Sequence, residues 1–470
     1  MEKGFYITTT LPYVNADPHL GHALEFVQAD VLARYKTLTG HEVFFNTGTD
    51  EHGLKILRRA ENEGIPTQVY ADRYAARFKE LLSSLNIKYD SFLRTTDPNH
   101  IRAAQEFWKR CATAGDIYPD IQEIKYCVGC ELEKTESELA NDLCPLHPTL
   151  VIEIRKEKNY FFRFSKYQDR LLDLYEKSAD FVVPQTRLNE VRSFVERGLR
   201  DFSISRLAAK MPWGVPVPGD PEHVMYVWFD ALVSYLSAIG WPEDRYTKWW
   251  PVTQIAGKDN LRQQSAMWQA MLMSAGVNPS KQIIIHGFVT NGGQKMSKTL
   301  GNVIDPFHII EKYGADALRY YLLREVSTFE DGDFTEEHFI ETYNANLANG
   351  LGNVVSRVMR MGVTHTVRID VDHLLKNSYV SAYLEHYEIQ KAIDEIWGRI
   401  GDLDKFIQTN EPFKKIKEKP EEAKKDIQYL MNEIYRIGHE LEPFMPETAE
   451  RIMKTVSGHQ MPEPLFKRIK

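Results

Sequence analysis

Two short polar segments, far apart in the chain, constrain its fold more than any other feature. The first, His19-Leu20-Gly21-His22, follows a predicted strand at Phe5 to Thr9 and a loop from Pro12 to Pro18, and it opens an amphipathic helix that Gly40 closes. The histidines are therefore predicted at a helix N-terminus, where backbone N–H groups favour an anion and Gly21 lets a phosphate approach closely. Alone this is weak evidence, because histidines at helix starts commonly cap or pack.

The second segment, Lys295-Met296-Ser297-Lys298-Thr299, lies between Asn291-Gly292-Gly293 and Gly301. A lysine pair in a glycine-flanked loop is usually a solvated turn. It also suits polyphosphate chemistry, because an ammonium group can stabilise charge that develops on phosphate oxygens. The presence of both segments in one chain, in this order, indicates nucleotide activation.

Together the two segments resemble the HIGH and KMSKS signatures of the class I aminoacyl-tRNA synthetases. Four further stretches are similar to the methionyl-tRNA synthetases in particular: Thr10 to Asn15, Asn46 to Gly53, Tyr226 to Ala231 and Gly257 to Asn260. The resemblance runs nearly end to end. It departs at Thr299, where the family usually has serine, at Gln264, where many relatives carry a histidine, and at Leu232, where some carry proline.

The resemblance implies an α/β fold with a Rossmann-type parallel-sheet catalytic domain, split by a zinc-knuckle connective insertion and followed by an all-α anticodon-binding bundle. We expect the catalytic domain at residues 1–115 and 225–334, the insertion at 116–224 and the helical domain at 335–470. The hydrophobic patterns after the insertion predict strands at Tyr226 to Phe229 and Gln282 to His286, and helices at Ala315 to Leu323, Asn344 to Arg360, Tyr383 to Thr409 and Glu422 to Leu441.

The composition is that of an ordinary globular protein. The chain has 470 residues, of which 43% are hydrophobic, so several domains with buried cores are expected. Its formal net charge of −8 means that any RNA-binding face must be a local basic patch. No export signal opens the chain and no apolar run reaches about 18 residues, so we expect a cytoplasmic protein without membrane contact.

Three of the four cysteines fall in one short segment, as Cys127-Val128-Gly129-Cys130 and Cys144-Pro145-Leu146-His147. Each two-residue spacer allows a tight turn that directs both ligands at one ion, and zinc favours four such N or S ligands at about 2.0–2.3 Å. With Cys127, Cys130, Cys144 and His147 as ligands, one structural zinc ion per chain is expected. The alternative is a disulfide, which requires an oxidising compartment. Cys111 is expected to be a small core residue.

The resemblance implies a two-step reaction. Methionine carboxylate attacks the α-phosphate of ATP to give methionyl-adenylate and pyrophosphate, and the terminal ribose of tRNA then takes the methionyl group. No protein nucleophile is required, so the protein aligns the reactants and stabilises charge. The implied catalytic residues are His19, His22, Lys295 and Lys298, with Mg²⁺ bound to ATP. The implied ATP-binding residues are Gly21, Gly257, Asp259, His286, Gly287 and Lys298, although an isolated Asp259 would more often be a helix cap.

Methionine requires an anion for its ammonium group and an apolar, polarisable slot for its thioether. The family match assigns the first role to Asp50 and the second to five further residues: Leu11, Tyr13, Trp228, Ala231 and Tyr235. Without the match, Trp228 and Tyr235 would be read as core aromatics.

The C-terminal helices are expected to recognise the anticodon of tRNA(Met). Asn353 and Arg357 are spaced to share one helix face, and Phe413 stands where relatives generally place a base-stacking tryptophan. Without the match, Asn353 and Arg357 would be read as solvated and Phe413 as packed on the bundle. We expect the chain to be a monomer.

Three alternatives remain from the sequence. A class I synthetase for cysteine or leucine would keep both signature loops but lose the context of Tyr13, Asp50 and Trp228. A small nucleotidyltransferase also uses an HxGH segment, but it needs no zinc knuckle or long helical region. A zinc-containing tRNA-binding or scaffold protein descended from a synthetase would be expected to have lost His22 or Lys298.

Overall fold

The structure, a computed structural model, describes residues 4–130, 132–134, 139–296, 302–370 and 378–469. The chain divides into two compact units. The first comprises residues 1–17, 44–79 and 89–285, and the second comprises residues 18–43, 80–88 and 286–470.

A six-stranded sheet forms the centre of the first unit. Its strands lie in the order Ser91–Arg94, Val43–Thr49, Phe5–Thr8, Thr253–Gly257, Gln282–His286, Val182–Val183. The strand Phe5–Thr8 runs parallel to Thr253–Gly257, with Ile7 opposite Thr253. Every residue of the strands Thr253–Gly257 and Gln282–His286 is buried, as expected for a parallel sheet covered on both faces. The sheet therefore combines strands from before and after the expected insertion, as the split fold requires, and it also takes in the edge strand Val182–Val183 from residues 116–224.

Helices and a large aromatic core cover this sheet. The helices are Leu54–Glu63, Thr67–Ser84, Pro98–Thr113, Gln168–Lys177, Gln185–Glu196, Val227–Ala231, Ser234–Ser237 and Trp268–Ser274, with a π-helical turn at Gln263–Met267. Phe107 stacks on Trp268 with ring centroids 5.5 Å apart. Cys111 is fully buried in the same core, and this burial raises the pKa of its thiol to about 12. The prediction that Cys111 is a small core residue is confirmed.

Antiparallel sheets lie at both ends of the inserted region, on either side of the helices Gln168–Lys177 and Gln185–Glu196. The strands Ile117–Cys127 and Glu153–Phe162 pair along their length, from Ile117 opposite Phe162 to Tyr126 opposite Glu153. The metal-binding segment adds the short hairpin Leu143–Cys144 and His147–Val151. A three-stranded sheet of Ser205–Leu207, Asp220–Met225 and Pro216–Val217 follows.

The second unit is mainly helical. It contains the helix Leu20–Leu38 and a small sheet of Gln294–Lys295, Val289–Asn291 and Gly332–Asp333. The remaining helices are Pro306–Tyr313, Ala315–Tyr320, Glu336–Thr342, Asn353–Thr364, Ser381–Leu384, Ile389–Asn410, Pro412–Lys415, Pro420–Glu440 and Pro446–Ser457, with π-helical stretches at Tyr321–Glu325 and Tyr343–Gly352. Within the described ranges, no helix has the length and apolarity needed to cross a bilayer.

A buried ion pair fixes the helix Leu20–Leu38 within this unit. Asp30 and Arg319 are both fully buried, and Arg319 Nη2 lies 2.8 Å from Asp30 Oδ2. The guanidinium also donates hydrogen bonds to the carbonyl oxygens of Leu85, Pro443 and Phe444. Because a buried charge is costly unless it is paired and hydrogen-bonded, these contacts explain how both groups tolerate burial.

Most predicted elements are confirmed, and two are corrected. The strand predicted at Tyr226 to Phe229 is wrong, because Tyr226 is the N-cap of the helix Val227–Ala231. Tyr226, Val227 and Phe229 are buried and Trp228 is half-buried, so this short apolar run lacks the periodicity that separates a strand from a helix. The helix predicted at Tyr383 to Thr409 is interrupted where Tyr387 adopts a positive φ of 61°, and the long helix begins at Ile389.

Candidate active site and metal centre

The loops after two strands of the central sheet bring Tyr13 and Asp50 together in the first unit. These two residues form an isolated parallel bridge, in which Val14 N donates to Asp50 O at 3.2 Å and Asp50 N donates to Pro12 O at 3.0 Å. Asp50 is only 3% exposed, whereas Leu11 and Tyr13 are half-buried. The candidate ammonium partner and one candidate thioether contact are therefore fixed by the same backbone pairing.

An aromatic cluster lies beside this bridge. Tyr126, Tyr226 and Val227 form its buried part, and Tyr13, Val128 and Trp228 pack against them. Trp228 Nε1 is buried and has no hydrogen-bond acceptor within the described residues. Ala231 is buried at the end of the same short helix. The structure therefore places Tyr13 and Trp228 in one cluster, as a shared substrate slot would require.

Tyr235 belongs instead to the main core of the unit, where its ring packs edge-on against Trp268. Its hydroxyl accepts a hydrogen bond from Gln264 Nε2 at 2.8 Å, and Gln264 Oε1 accepts one from Gln254 Nε2 at 2.9 Å. All three side chains are buried. Gln264, the residue that departs from the family pattern, thus orients the Tyr235 hydroxyl. Sequence reasoning left Gln264 without a role, and it missed Gln254.

A buried carboxylate between two histidines was also missed. Asp230 Oδ2 lies 2.6 Å from His52 Nδ1, and Asp230 Oδ1 lies 2.7 Å from His100 Nε2. Burial disfavours the ionised carboxylate and by itself would raise its pKa. The charge interactions and hydrogen bonds from both histidines outweigh this effect and lower the pKa of Asp230 to about 2. Asp230 lies close to Trp228 in the chain, and His52 lies close to Asp50. The hydrogen bond between His52 and Asp230 therefore connects the two segments that carry methionine-site candidates. No local sequence signal marks His100.

Two candidates for the adenosine side lie at the end of the strand Thr253–Gly257. Gly257 is buried as the last residue of that strand. Asp259 follows in the turn Lys258–Asn260, where its exposed carboxylate accepts a hydrogen bond from Asn260 Nδ2 at 3.3 Å. An exposed carboxylate after a parallel strand is suitably placed for ribose hydroxyls.

In the second unit, His19 and His22 form a reciprocal cap at the start of the helix Leu20–Leu38. Gly21 N donates to His19 Nδ1, and His19 N donates to His22 Nδ1, both at 3.1 Å. Their rings stack with centroids 3.9 Å apart. Because each Nδ1 accepts a backbone N–H, each neutral ring carries its proton on Nε2. The capping alternative is therefore realised, and it also fixes the tautomer that suits donation to an anion.

His286 and Gly287 have clear structural partners in this unit. His286 Nε2 lies 3.0 Å from Glu25 Oε2, and His286 Nδ1 donates to Gly287 O at 2.7 Å. A Cβ atom at Gly287 would lie 2.2 Å from the carbonyl oxygen of Glu330. Gly287 is thus required for close packing of protein backbone, whatever its role toward a nucleotide.

Of the candidate lysines, Lys295 lies on the strand Gln294–Lys295, opposite Thr290 of the neighbouring strand. Asn291 Nδ2 donates to Asn302 O at 3.0 Å and so joins the two sides of the segment. Lys298, with Ser297 and Thr299, lies outside the described residues.

The four predicted metal ligands converge. The ligand atoms of Cys127, Cys130, Cys144 and His147 all lie within 4.8 Å of one another. Cys130 Sγ is 3.4 Å from Cys144 Sγ and 3.3 Å from His147 Nδ1, and Cys127 Sγ is 3.9 Å from that nitrogen. The ligand atoms of a tetrahedral zinc site lie about 3.3–3.8 Å apart, so the two Cys130 separations match this geometry and the Cys127 separation is slightly longer. All three cysteines are free thiols, which disagrees with the disulfide alternative.

Glycine and lysine contacts hold this knuckle in place. A Cβ atom at Gly129 would lie 2.4 Å from His147 Cγ, so the turn between Cys127 and Cys130 leaves no room for a side chain. Lys55 Nζ donates to Gly129 O at 2.9 Å and thereby ties the turn to the helix Leu54–Glu63.

The three anticodon candidates lie on two helices of the second unit. Asn353 is exposed at the first position of the helix Asn353–Thr364. Arg357 is half-buried, and its Nη1 donates to Asp404 Oδ1 at 2.6 Å. Phe413 is 43% exposed in the short helix Pro412–Lys415. Sequence reasoning missed Asp404, which is distant in the chain and carries no motif.

Comparison with known proteins agrees with this geometry. The family described as tRNA synthetases class I (M) matches residues 5–149 and 132–359, and the anticodon binding domain of methionyl tRNA ligase matches residues 365–466. The methionine–tRNA ligase of Thermosynechococcus vestitus is 45% identical, over 96% of this chain and 90% of the relative. That of Thermotoga maritima is 39% identical, over 99% of this chain and 80% of the relative.

Solved structures of methionyl-tRNA synthetase are also similar to this chain over nearly its full length. The Mycobacterium tuberculosis methionyl-tRNA synthetase in complex with methionyl-adenylate has a TM-score of 0.92 and 36% identity, covering 99% of this chain and 100% of that one. The apo form of the same protein has a TM-score of 0.84 and 34% identity, covering 100% of this chain and 98% of that one.

Proposed function

This chain belongs to the methionine–tRNA ligases, a family of class I aminoacyl-tRNA synthetases, and from that membership we propose which of its residues perform each step. The enzyme activates L-methionine with ATP to methionyl-adenylate and pyrophosphate, and then transfers methionine to the 3'-terminal adenosine of tRNA(Met). ATP, methionine and tRNA are its partners.

Methionine recognition is assigned to the first unit. Asp50 receives the ammonium group, because it is a buried carboxylate beside a half-open aromatic cluster. Leu11, Tyr13, Trp228, Ala231 and Tyr235 contact the side chain, and the Trp228 indole N–H needs an acceptor that a bound substrate can provide. A closely fitting slot of this kind separates side chains that differ by one methylene by about 1–3 kcal/mol.

Charge stabilisation during activation is assigned to His19, His22, Lys295 and Lys298. The reciprocal cap orients both imidazole rings at a helix N-terminus, which already favours an anion. Gly21 leaves the backbone accessible to phosphate, and Gly257, Asp259, His286 and Gly287 serve the adenosine. Mg²⁺ enters with ATP and neutralises part of the phosphate charge.

The metal centre is proposed to hold one structural zinc ion through Cys127, Cys130, Cys144 and His147. Four protein ligands leave no open coordination position for water, so the ion stabilises the knuckle and takes no part in the reaction. Cysteine ligands bind zinc as thiolates, and the charge of the bound dication would offset the repulsion between the three neighbouring sulfur atoms.

The helical domain is proposed to bind the anticodon through Asn353, Arg357 and Phe413. The Asp404 contact supports a pre-oriented Arg357, because a paired guanidinium loses less freedom on binding a base edge. We retain the division into residues 1–115, 116–224, 225–334 and 335–470, a monomeric state and a cytoplasmic location as further proposals.

The observation that carries the assignment is the near-complete match to methionine–tRNA ligases in both the catalytic and the anticodon-binding parts. ATP–pyrophosphate exchange with each of the twenty amino acids tests it directly. Exchange is expected with methionine and should be far weaker with the other nineteen. Equal or faster exchange with cysteine or leucine, or no exchange at all, would contradict the assignment.

A further inference from the structure

A chain of hydrogen-bonded side chains runs through the core of the first unit and ends at Tyr235. Ser280 Oγ donates to Gln254 Oε1 at 2.6 Å, and Gln254 Nε2 donates to Gln264 Oε1 at 2.9 Å. Gln264 Nε2 then donates to the Tyr235 hydroxyl at 2.8 Å. None of these four residues is more than 5% exposed. We call Ser280, Gln254 and Gln264 the glutamine relay.

The relay joins elements that are separate in the fold. Gln254 lies on the strand Thr253–Gly257, Gln264 lies in the π-helical turn Gln263–Met267, and Ser280 precedes the strand Gln282–His286. Buried amides and hydroxyls are costly unless they are hydrogen-bonded, so a satisfied network in a mainly apolar core holds one arrangement. Single π-helical turns are also frequent at functional sites. Both features indicate that the relay fixes the position of a group that matters for activity.

Gln269 fixes the direction in which the relay donates. Its Oε1 accepts from Ser280 N at 2.9 Å, and its Nε2 donates to Gln264 O at 2.7 Å and to Ser280 Oγ at 3.1 Å. A backbone N–H can only donate and a backbone carbonyl can only accept, so the Gln269 amide has a single orientation. The Ser280 hydroxyl therefore accepts from Gln269 and donates to Gln254, and the next two amides follow in the same direction.

This direction makes the Tyr235 hydroxyl an acceptor at the end of the relay. Because Gln264 Nε2 already donates to this oxygen, the tyrosine O–H bond points away from Gln264. Hydrogen bonds in a chain polarise one another, and the effect is larger in a buried site, so this O–H is a strengthened donor. A thioether sulfur accepts hydrogen bonds weakly, whereas a methylene group does not accept them. A donor of fixed direction can therefore distinguish the two.

We propose that Gln254 and Ser280 are positioning residues for methionine specificity, which hold Gln264 so that the Tyr235 proton is directed at the substrate thioether. The inference rests on the proposed function, in which Tyr235 contacts the methionine side chain. The relay would favour methionine over norleucine, an amino acid of the same length with a methylene in place of sulfur. Without the Ser280 hydroxyl, both relay amides can turn over. Gln264 Oε1 then accepts the Tyr235 proton, and the substrate loses its donor.

Ser280→Ala and Gln254→Met test the proposal, with Ser265→Ala as the matched control. Ser265 is fully buried in the same π-helical turn as Gln264, and its Oγ has no hydrogen-bond partner in the part of the chain that the structure describes. ATP–pyrophosphate exchange would be measured with methionine and with norleucine, and kcat and KM determined separately for each. Thermal unfolding reports whether each variant is folded.

Each relay variant should lower the ratio of kcat/KM for methionine to kcat/KM for norleucine by about three- to tenfold, the range expected when one neutral hydrogen bond is lost. The change should appear as a raised KM for methionine with an unchanged kcat, because the side chain is bound equally before and during the reaction. Exchange with norleucine and the KM for ATP should not change. The Ser265→Ala variant should match the wild type throughout.

Tyr235→Phe tests whether the relay acts through the tyrosine hydroxyl. Phenylalanine keeps the ring but lacks the hydroxyl, so this variant should lose discrimination by itself. Adding Ser280→Ala to Tyr235→Phe should then cause no further fall in the ratio, because the two changes remove the same interaction.

An unchanged ratio in the relay variants would overturn the proposal. So would an equal fall in Ser265→Ala, an equal loss of exchange with both amino acids, or a further fall when Ser280→Ala is added to Tyr235→Phe. If Ser280→Ala does not fold, Gln254→Met alone decides between these outcomes. Absence of methionine-dependent exchange in the wild type would refute the proposed function itself and is therefore distinguishable from them.

Discussion

The two units hold their histidine pairs by opposite means. In the first unit, His52 and His100 are buried, and both donate toward the same carboxylate, Asp230. In the second unit, His19 and His22 are half-buried and receive backbone N–H groups on Nδ1. In the first arrangement, each ring uses one nitrogen to bind Asp230, and these hydrogen bonds connect distant segments of the chain. The second fixes the rings but directs their protonated nitrogen away from the cap. We infer that the first pair serves stability and the second serves catalysis.

The metal centre extends this comparison to a third histidine. His147 Nδ1 faces sulfur atoms, as expected for a metal ligand. We expect loss of the metal to lower the stability of this segment more than any other change described below. Zinc in small domains binds with an apparent free energy of about 10–16 kcal/mol, much of which is folding free energy. Cys144→Ser should lose about one zinc ion per chain and make the knuckle protease-sensitive. Cys111→Ala is the control and should retain the metal. Full zinc content in Cys144→Ser would disprove the ligand assignment.

Lys298→Ala should give the next largest effect, a loss of catalytic rate without a loss of stability. Loss of a group that stabilises transition-state charge typically lowers kcat by about 10²–10³-fold. Pyrophosphate exchange should fall by this factor, while the thermal unfolding midpoint stays unchanged. Lys281→Ala, at an exposed lysine, is the control and should exchange normally. A small change in exchange rate with a large loss of stability would mean that Lys298 stabilises the fold and does not act in catalysis.

Asp230→Asn should show the reverse pattern. The native pKa of Asp230 is about 2, below the ordinary value of 3.8, so the ionised carboxylate stabilises the fold at neutral pH. Two pKa units correspond to about 2–3 kcal/mol of free energy of unfolding. Because the native pKa is lowered, this contribution is present above about pH 4 and disappears as pH falls toward 2.

Urea unfolding between pH 2 and pH 7 tests this window. The wild type should be more stable than Asp230→Asn at pH 7, and the difference should narrow as acid protonates the carboxylate. Exchange with methionine should change far less than in Lys298→Ala. A constant stability difference across the whole range would contradict the proposed role of the charge.

The sequence predicted those parts of the fold whose signals are local. The strand Gln282–His286 is a continuous apolar run, and the cysteine spacers fix the metal ligands within one segment. The strand prediction for Tyr226 to Phe229 was wrong because a short, mostly buried apolar run has the same composition in a strand or a helix. His100 and Asp404 were missed because their partners are distant in the chain, and only the folded structure brings them together. Gln254 lies near its partner Gln264 in the chain, but neither glutamine belongs to a recognisable motif.

The most direct test of the central claim is the rate of methionyl-adenylate formation in His22→Asn, measured by rapid quench. Asparagine keeps an acceptor for the backbone N–H of His19 but lacks the Nε2 donor, so helix capping and catalysis are separated. The account predicts a rate about 10²–10³-fold below wild type, with unchanged thermal unfolding. A wild-type rate would contradict it.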